Sequence, residues 1–319
     1  MEMLNFNSSL GSPNVQCWKI LILDSVGQKV LSPVVRVNDL REQGVTLYLQ
    51  LHSDRQVIPD VPAIYFIQPT ADNIERVAQD MAAGLYDSYY LNFTSTISRD
   101  LLEELAQRSL HSGTSAFVAK VVDQHLSYIC LESNLFSLEI SDVYYKLNQS
   151  DEASIEALME QMAESLFGML LTFGGQPPLM LCSKGTAAEG VGLKLNQRLR
   201  DRLAGTKNAS PNAIDSLQRP LMLLLDRSFD LGSMLRHSST YNALVHDVLG
   251  MQLNRLSLAE GKSFVLDGHD WFWAQNATLP FPSVAENVDS ALSSYKTDFQ
   301  QVTRSTGDKD LQQVEKDLQ

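Results

Sequence analysis

Positive charge is scarce in this 319-residue sequence: 25 lysines and arginines stand against 38 aspartates and glutamates, a formal net charge of −13. No basic block interrupts that balance, which excludes binding through a nucleic-acid phosphate backbone and uniform attraction to an anionic membrane surface. Cysteine is scarcer still. Cys17, Cys130 and Cys182 stand far apart, with no CxxC and no zinc-ligand spacing, and they read as small buried thiols in a reducing compartment. No stretch approaches the roughly 18 consecutive apolar residues of a membrane span. Met1-Glu2-Met3 opens neither a basic segment nor an apolar signal core, so the five Asn-x-Ser/Thr sequons at Asn7, Asn92, Asn148, Asn208 and Asn276 are not expected to meet a secretory lumen. The expectation is a cytosolic protein. What remains is ordinary: 44% hydrophobic and 20% charged residues, the balance of a globular chain, at a length that suits two or three domains.

Catalytic motifs are also missing. There is no GxGxxG, HExxH or GxSxG. Gly185-Thr186-Ala187-Ala188-Glu189-Gly190 follows a strand-like run and precedes a helical one, where phosphate loops sit. Lys184, however, lies before its first glycine, and a capped strand-to-helix turn explains the segment without a ligand. The six histidines form no i, i+4 pair; His246-Asp247 sits in a helical pattern among Leu244, Val245 and Val248 as a hydrogen-bonded structural histidine. Asp226-Arg227-Ser228-Phe229-Asp230 closes an apolar strand, a position where α/β sites gather. An ion pair plus a helix cap accounts for it equally well. On residues alone a binding module stands ahead of an enzyme.

Strand-like and helix-like segments alternate along the first two thirds. Trp18–Asp24, Val45–Leu51, Ala63–Ile67, Ser88–Phe93 and Ser127–Leu131 read as strands, the first as a run covered on both faces. Thr70 caps a helix carrying Ile74, Val77, Ala78 and Met81, and Ser98 caps another over Leu101–Leu110. Alternation of this kind predicts an α/β fold with a mostly parallel sheet. A second α/β unit follows: a long helix with Ile155, Leu158, Met159, Met162, Leu166, Met169 and Leu170 on one stripe, ending at Gly174-Gly175; a strand Leu179–Cys182; a helix Ala187–Leu203; a polar link Gly205–Pro211; and Pro220–Asp226, which reads as a fully buried strand. Tyr241–Leu256 and Val284–Val302 read as helices, and no strand is expected after Val265.

Several stretches together resemble one family: Ile58–Phe66, Tyr89–Phe93, Cys182–Glu189, Leu225-Asp226-Arg227 with Asp230, and Thr240–Leu249. They are similar to the Sec/Munc proteins that guide SNARE assembly in vesicle fusion. The endoplasmic reticulum–Golgi branch, the Sly proteins, is closest, and Met3–Asn7 and Pro280–Glu286 resemble it too. The resemblance runs in order over nearly the whole chain. It implies an N-terminal parallel-sheet domain over residues 1–133, an incomplete second α/β domain over 134–247, and the helical start of a third domain over 248–319. Family members are longer, so the chain reads as stopping inside that third domain.

The resemblance also implies a function without catalysis, cofactor or metal: binding a syntaxin-type SNARE of the early Golgi, and SNARE complexes, with membrane association through partners at the endoplasmic reticulum and Golgi. Two alternatives stay open, a shortened relative that sequesters syntaxin without promoting fusion and an α/β enzyme using the Gly185 turn or the Asp226 strand end. The family's pocket for a syntaxin N-terminal peptide maps to Leu102, Leu105 and Ala106 on one helix and Val118 and Val121 on the next segment. Spacings of i, i+3, i+4 and i, i+3 put each set on one helical face. The other reading is that all five fill the domain core. The loop Leu51–Pro59, with an exposed Arg55, is expected to face the cleft that holds the syntaxin helical bundle.

Overall fold

The structure is a computed structural model that describes residues 18–149, 151–173, 177–205, 219–258 and 261–305. Cys17, the Met3–Asn7 motif, the Gly174-Gly175 stop and most of the Gly205–Pro211 link lie outside the described residues. The chain divides into two compact units, Met1–Phe229 and Asp230–Gln319.

The first unit opens with β1 (Lys19–Leu23), α1 (Ser25–Leu31), α2 (Val37–Glu42), β2 (Val45–Gln50), β3 (Ala63–Ile67), α3 (Ala71–Ala82), β4 (Tyr89–Phe93), α4 (Arg99–His111) and β5 (Val118–Asp123). All five strands pair in parallel in the order β2-β1-β3-β4-β5. β1 and β3 are buried at every position, as their unbroken apolar runs require when helices cover both faces. The alternate residues Ile20, Ile22, Tyr65, Ile67, Tyr89, Leu91 and Phe93 meet Ile74, Val77 and Met81 of α3 and Leu105 of α4 in one core. Thr70 and Ser98 cap α3 and α4, their side-chain oxygens accepting from the Asn73 and Leu101 amides, each at 3.3 Å. Asp24 caps α1 by accepting from the Gly27 amide at 2.7 Å. A Cβ on Gly27 would stand 2.2 Å from the Phe66 carbonyl oxygen, so only glycine lets α1 lie this close to β3.

The rest of the first unit contains a hairpin of β6 (Ile129–Glu132) and β7 (Leu135–Ser137), then α5 (Val143–Gln149), α6 (Glu152–Phe173), β8 (Leu179–Cys182), α7 (Ala187–Gly205) and β9 (Leu221–Leu224). A second core joins Leu166, Phe167 and Met169 of α6 to Val191, Leu195 and Leu199 of α7, with Met180, Met222 and Leu224 packed against it. β8 and β9 form a two-stranded parallel sheet. Pro220–Asp226 is therefore not the fully buried strand its composition predicts. One face of the sheet lies on the helices, while Leu179, Leu181, Leu221 and Leu223 stand exposed on the other. Cys182 at the end of β8 is exposed although it shares the helix-facing side of Met180 and Leu224, and Cys130 is half-buried.

The second unit holds α8 (Leu231–Met234), α9 (Tyr241–Leu249), a hairpin of β10 (Arg255–Ser257) and β11 (Ser263–Val265), α10 (Trp271–Asn276) and α11 (Phe281–Ser305). The helix expected to run to Leu256 stops at Leu249. Gly250 closes it in the left-handed conformation at φ 68°, and the chain turns into β10. His246 lies on an exposed face beside Asp247, whose carboxyl is held low by hydrogen bonds from His237 and His246. Val245, Leu256, Trp273 and Ala277 form this unit's core. Among the described residues no helix is long and apolar enough to cross a membrane.

Candidate functional site

The five residues expected to form the peptide pocket come from α4 and from β5, an edge strand of the first sheet. Leu102, Leu105 and Ala106 share the helix as expected, but burial separates them. Leu105 is 4% exposed and belongs to the sheet core, Leu102 is 41% exposed, and Ala106 is exposed.

Val118 and Val121 are not on a helix. Both lie in β5, where residues three apart ordinarily point to opposite faces. A bulge changes that. Val118 pairs with Tyr89, Lys120 with Tyr90 and Val121 with Leu91, so Ala119 is an extra residue opposite a single step of β4. Paired residues project on the same side of a sheet. Val118 and Val121 therefore share the face of Tyr89 and Leu91, the one α3 and α4 cover. Val118 packs against the core that contains Leu105, and Val121 is 39% exposed. The arrangement is a sheet edge with an apolar floor, Leu105 and Val118, and exposed apolar groups, Leu102, Ala106 and Val121. Phe117, in the turn before β5, is exposed as well. Its place just ahead of the first pocket valine was the sequence signal available for it.

Arg55 lies in the loop between β2 and β3 and is not the exposed residue expected from that polar loop. Its side chain is 0% exposed. Nη2 donates to both oxygens of Asp80 on α3, at 2.9 and 2.7 Å, and to the Leu51 carbonyl at 2.7 Å. The Tyr65 hydroxyl donates to the same carboxylate at 2.9 Å, and Arg76 approaches it at 3.6 Å. Burial, then the Asp80 charge, push the Tyr65 hydroxyl well above its ordinary range, which keeps it a donor. Burial works most strongly against the Arg55 charge, but Asp80, Tyr65 and Tyr86 together outweigh it and raise the guanidinium.

The start of that loop lines a cleft of about 510 Å3 at the C-terminal ends of β1, β2 and β3, where the strand order reverses. Asp24, Gln50, His52, Gln68, Asp72 and Asn73 face it. The Asp24 carboxylate is fully engaged by the Gly27 and Gln68 amides and by Asn73 Nδ2, and Asn73 Oδ1 lies 2.9 Å from His52 Nε2.

The Gly185 turn is occupied by the chain itself. Gly185 takes the left-handed conformation at φ 76° and its amide donates to the Glu189 carboxylate at 2.6 Å. Asp226, at the end of β9, accepts from the amide and hydroxyl of Ser228 at 3.0 and 2.7 Å. Those bonds hold its carboxyl low, with smaller shares from the amides of Ala187 and Ala188. The first amides of α7, where an anion would sit, thus face a carboxylate of this protein. Asp230 caps α8 through Ser233, the capping role expected for the Asp226–Asp230 segment. Among the described residues no three His, Cys, Asp or Glu side chains gather as a metal site requires.

Three comparisons bear on what this scaffold is. The Sec1 family matches residues 19–319. The chain is 44% identical to Protein sly1 of Schizosaccharomyces pombe, over 99% of this chain and 52% of that one. It is 43% identical to the SEC1 family transport protein SLY1 of Arabidopsis thaliana, over 96% of this chain and 51% of that one. A crystal structure of Sly1p in complex with an N-terminal peptide of Sed5p superposes with a TM-score of 0.83 at 35% identity, over 99% of this chain and 55% of that one. The chain spans about half the length of the curated relatives it matches.

Proposed function

This chain belongs to the Sec1 family, the Sec/Munc group its motifs resemble, and on that premise we propose that it binds the N-terminal peptide of a Golgi syntaxin on the α4–β5 edge of its first sheet. The observation that carries the reading is the likeness to Sly1p, a protein crystallised with an N-terminal peptide of Sed5p. The geometry suits such a ligand. Leu102, Ala106 and Val121 offer an exposed apolar surface over the fixed floor of Leu105 and Val118, and small Ala106 leaves room for a bulky anchor side chain.

In this reading the protein is a SNARE-binding regulator of endoplasmic reticulum–Golgi vesicle docking and fusion, and not an enzyme. Its place is the cytoplasm, at those membranes through its partners. Residues 1–133 form the peptide-binding domain, 134–247 the first half of a second domain, and 248–319 the start of a helical third. The loop 51–59 gives the folded part of the syntaxin a second contact.

Calorimetry with a synthetic syntaxin N-terminal peptide tests the reading. The wild-type chain binds with no nucleotide or metal added. Leu102→Asp and Val121→Asp each weaken binding tenfold or more, about 1.4 kcal/mol. Unchanged affinity in both folded variants removes the site from the α4–β5 edge.

A further inference from the structure

The buried cluster around Asp80 does more than fill the core. A guanidinium and a carboxylate taken fully out of water face a desolvation cost that apolar side chains of the same volume avoid, and such a pair can serve instead to select one conformation. Here the selected element is a loop. Arg55 donates to the Leu51 carbonyl while gripping Asp80. Arg76, one turn before Asp80 on the same helix, donates to the Leu51 carbonyl at 3.2 Å and the Ser53 carbonyl at 2.9 Å. Tyr65 from β3 and the Asp80 carboxylate meet at 2.9 Å, and the Tyr89 hydroxyl from β4 donates to the Asp80 carbonyl at 3.0 Å. Arg55 of the loop and Arg76 of α3 thus converge on two loop carbonyls, while Tyr65 and Tyr89 from two strands hold the Asp80 that Arg55 grips. Between those carbonyls stands His52, whose ring lies half-exposed against Asp72 and Asn73 in the wall of the cleft.

We infer that Arg55 is a positioning residue: its buried pair with Asp80 fixes the backbone of residues 51–53, and with it the His52–Ser53 wall of the cleft at the ends of β1–β3, in the shape that the folded part of a syntaxin meets. The inference rests on the proposed second contact at loop 51–59, and it replaces direct contact by Arg55 with action through the loop.

The test uses the full chain and two ligands, the syntaxin N-terminal peptide alone and the syntaxin cytosolic region lacking that peptide. Arg55→Met should leave peptide affinity within twofold, weaken the peptide-less ligand tenfold or more, and speed amide exchange at residues 51–55. Arg55→Lys, which keeps a charge on Asp80, should recover part of both losses. Should Arg55→Met fail to fold, the double variant Arg55→Met, Asp80→Leu replaces the pair with apolar volume and still removes the Arg55 bond to the Leu51 carbonyl, leaving only that of Arg76. Peptide-less syntaxin bound equally by wild type and by a variant with a loosened loop overturns the positioning role. A wild-type chain that binds the peptide but never the peptide-less ligand overturns the second contact, and the inference with it.

Discussion

Leu102 and Leu105 sit one turn apart on α4, and replacing each by alanine separates scaffold from surface. Leu105 is 4% exposed, so Leu105→Ala removes three carbons wholly from the sheet core. At ~0.8 kcal/mol per buried methylene the transfer loss is about 2.5 kcal/mol. The cavity left in the sheet core carries the total toward the 2–5 kcal/mol typical of such truncations. Leu102 is 41% exposed, and the same change there costs about 1 kcal/mol, with no closed cavity. Hydrogen exchange of β3 and β4 amides reads the difference directly. Leu105→Ala should lower their protection roughly 50-fold or more, and Leu102→Ala by less than about tenfold. Peptide binding should run the other way in the folded protein, with Leu102→Ala the more damaging. Equal losses of protection would refute the division between floor and exposed surface.

Further outcomes follow from contacts elsewhere in the chain. A Cβ at Gly168 of α6 would stand 2.3 Å from the His125 carbonyl oxygen, so Gly168→Ala should cost about 1–3 kcal/mol in urea unfolding despite alanine's better helix propensity. Asp226→Ala should lose about 1 kcal/mol of capping, and sulfate, free to approach the exposed α7 amides, should stabilise the variant but not the wild type. Glu160 on α6 pairs with Lys194 and Arg198 on α7; burial opposes its charge, but the Arg198 and Lys194 contacts together prevail and depress its carboxyl. A depressed carboxylate stabilises the fold above its unfolded value near 4.5 and ceases to as pH falls through the folded one. Exchange of α6 and α7 amides, corrected for intrinsic rates, should therefore accelerate below about pH 4 in wild type but show a flatter pH response in Glu160→Gln. Leu221→Ser with Leu223→Ser should reduce self-association in ultracentrifugation without lowering stability, because both side chains face away from the α6–α7 core.

Most of the first sheet was legible because its inner strands are covered twice. Lys19–Leu23 and Ala63–Ile67 have no alternation to misread, and their capped helices announce themselves at Thr70 and Ser98. The errors have physical causes. The β5 bulge turns a period of two into a spacing of three, which imitates one helical turn at Val118 and Val121. Arg55 lies in a polar run, His52-Ser53-Asp54-Arg55-Gln56, and nothing local reveals a buried carboxylate 25 residues on. Asp80 gives a faint sign by falling between Val77 and Met81 on the inner side of α3. The run Pro220–Asp226 promises cover on both faces, yet one face of the β8–β9 pair carries its leucines in the open.

The extra residue in β5 is a spacer that the proposed peptide surface neither contacts nor needs for its facing. Ala119 is exposed and its methyl group is dispensable, so many residue types should serve there. Its deletion would leave Val118, Lys120 and Val121 opposite Tyr89, Tyr90 and Leu91, a plain alternation that keeps Val121 on the side of Leu102. A mutational scan of this edge should find position 119 tolerant of replacement and of deletion alike, while one more residue inserted beside it, which would turn Val121 to the other side, should abolish peptide binding.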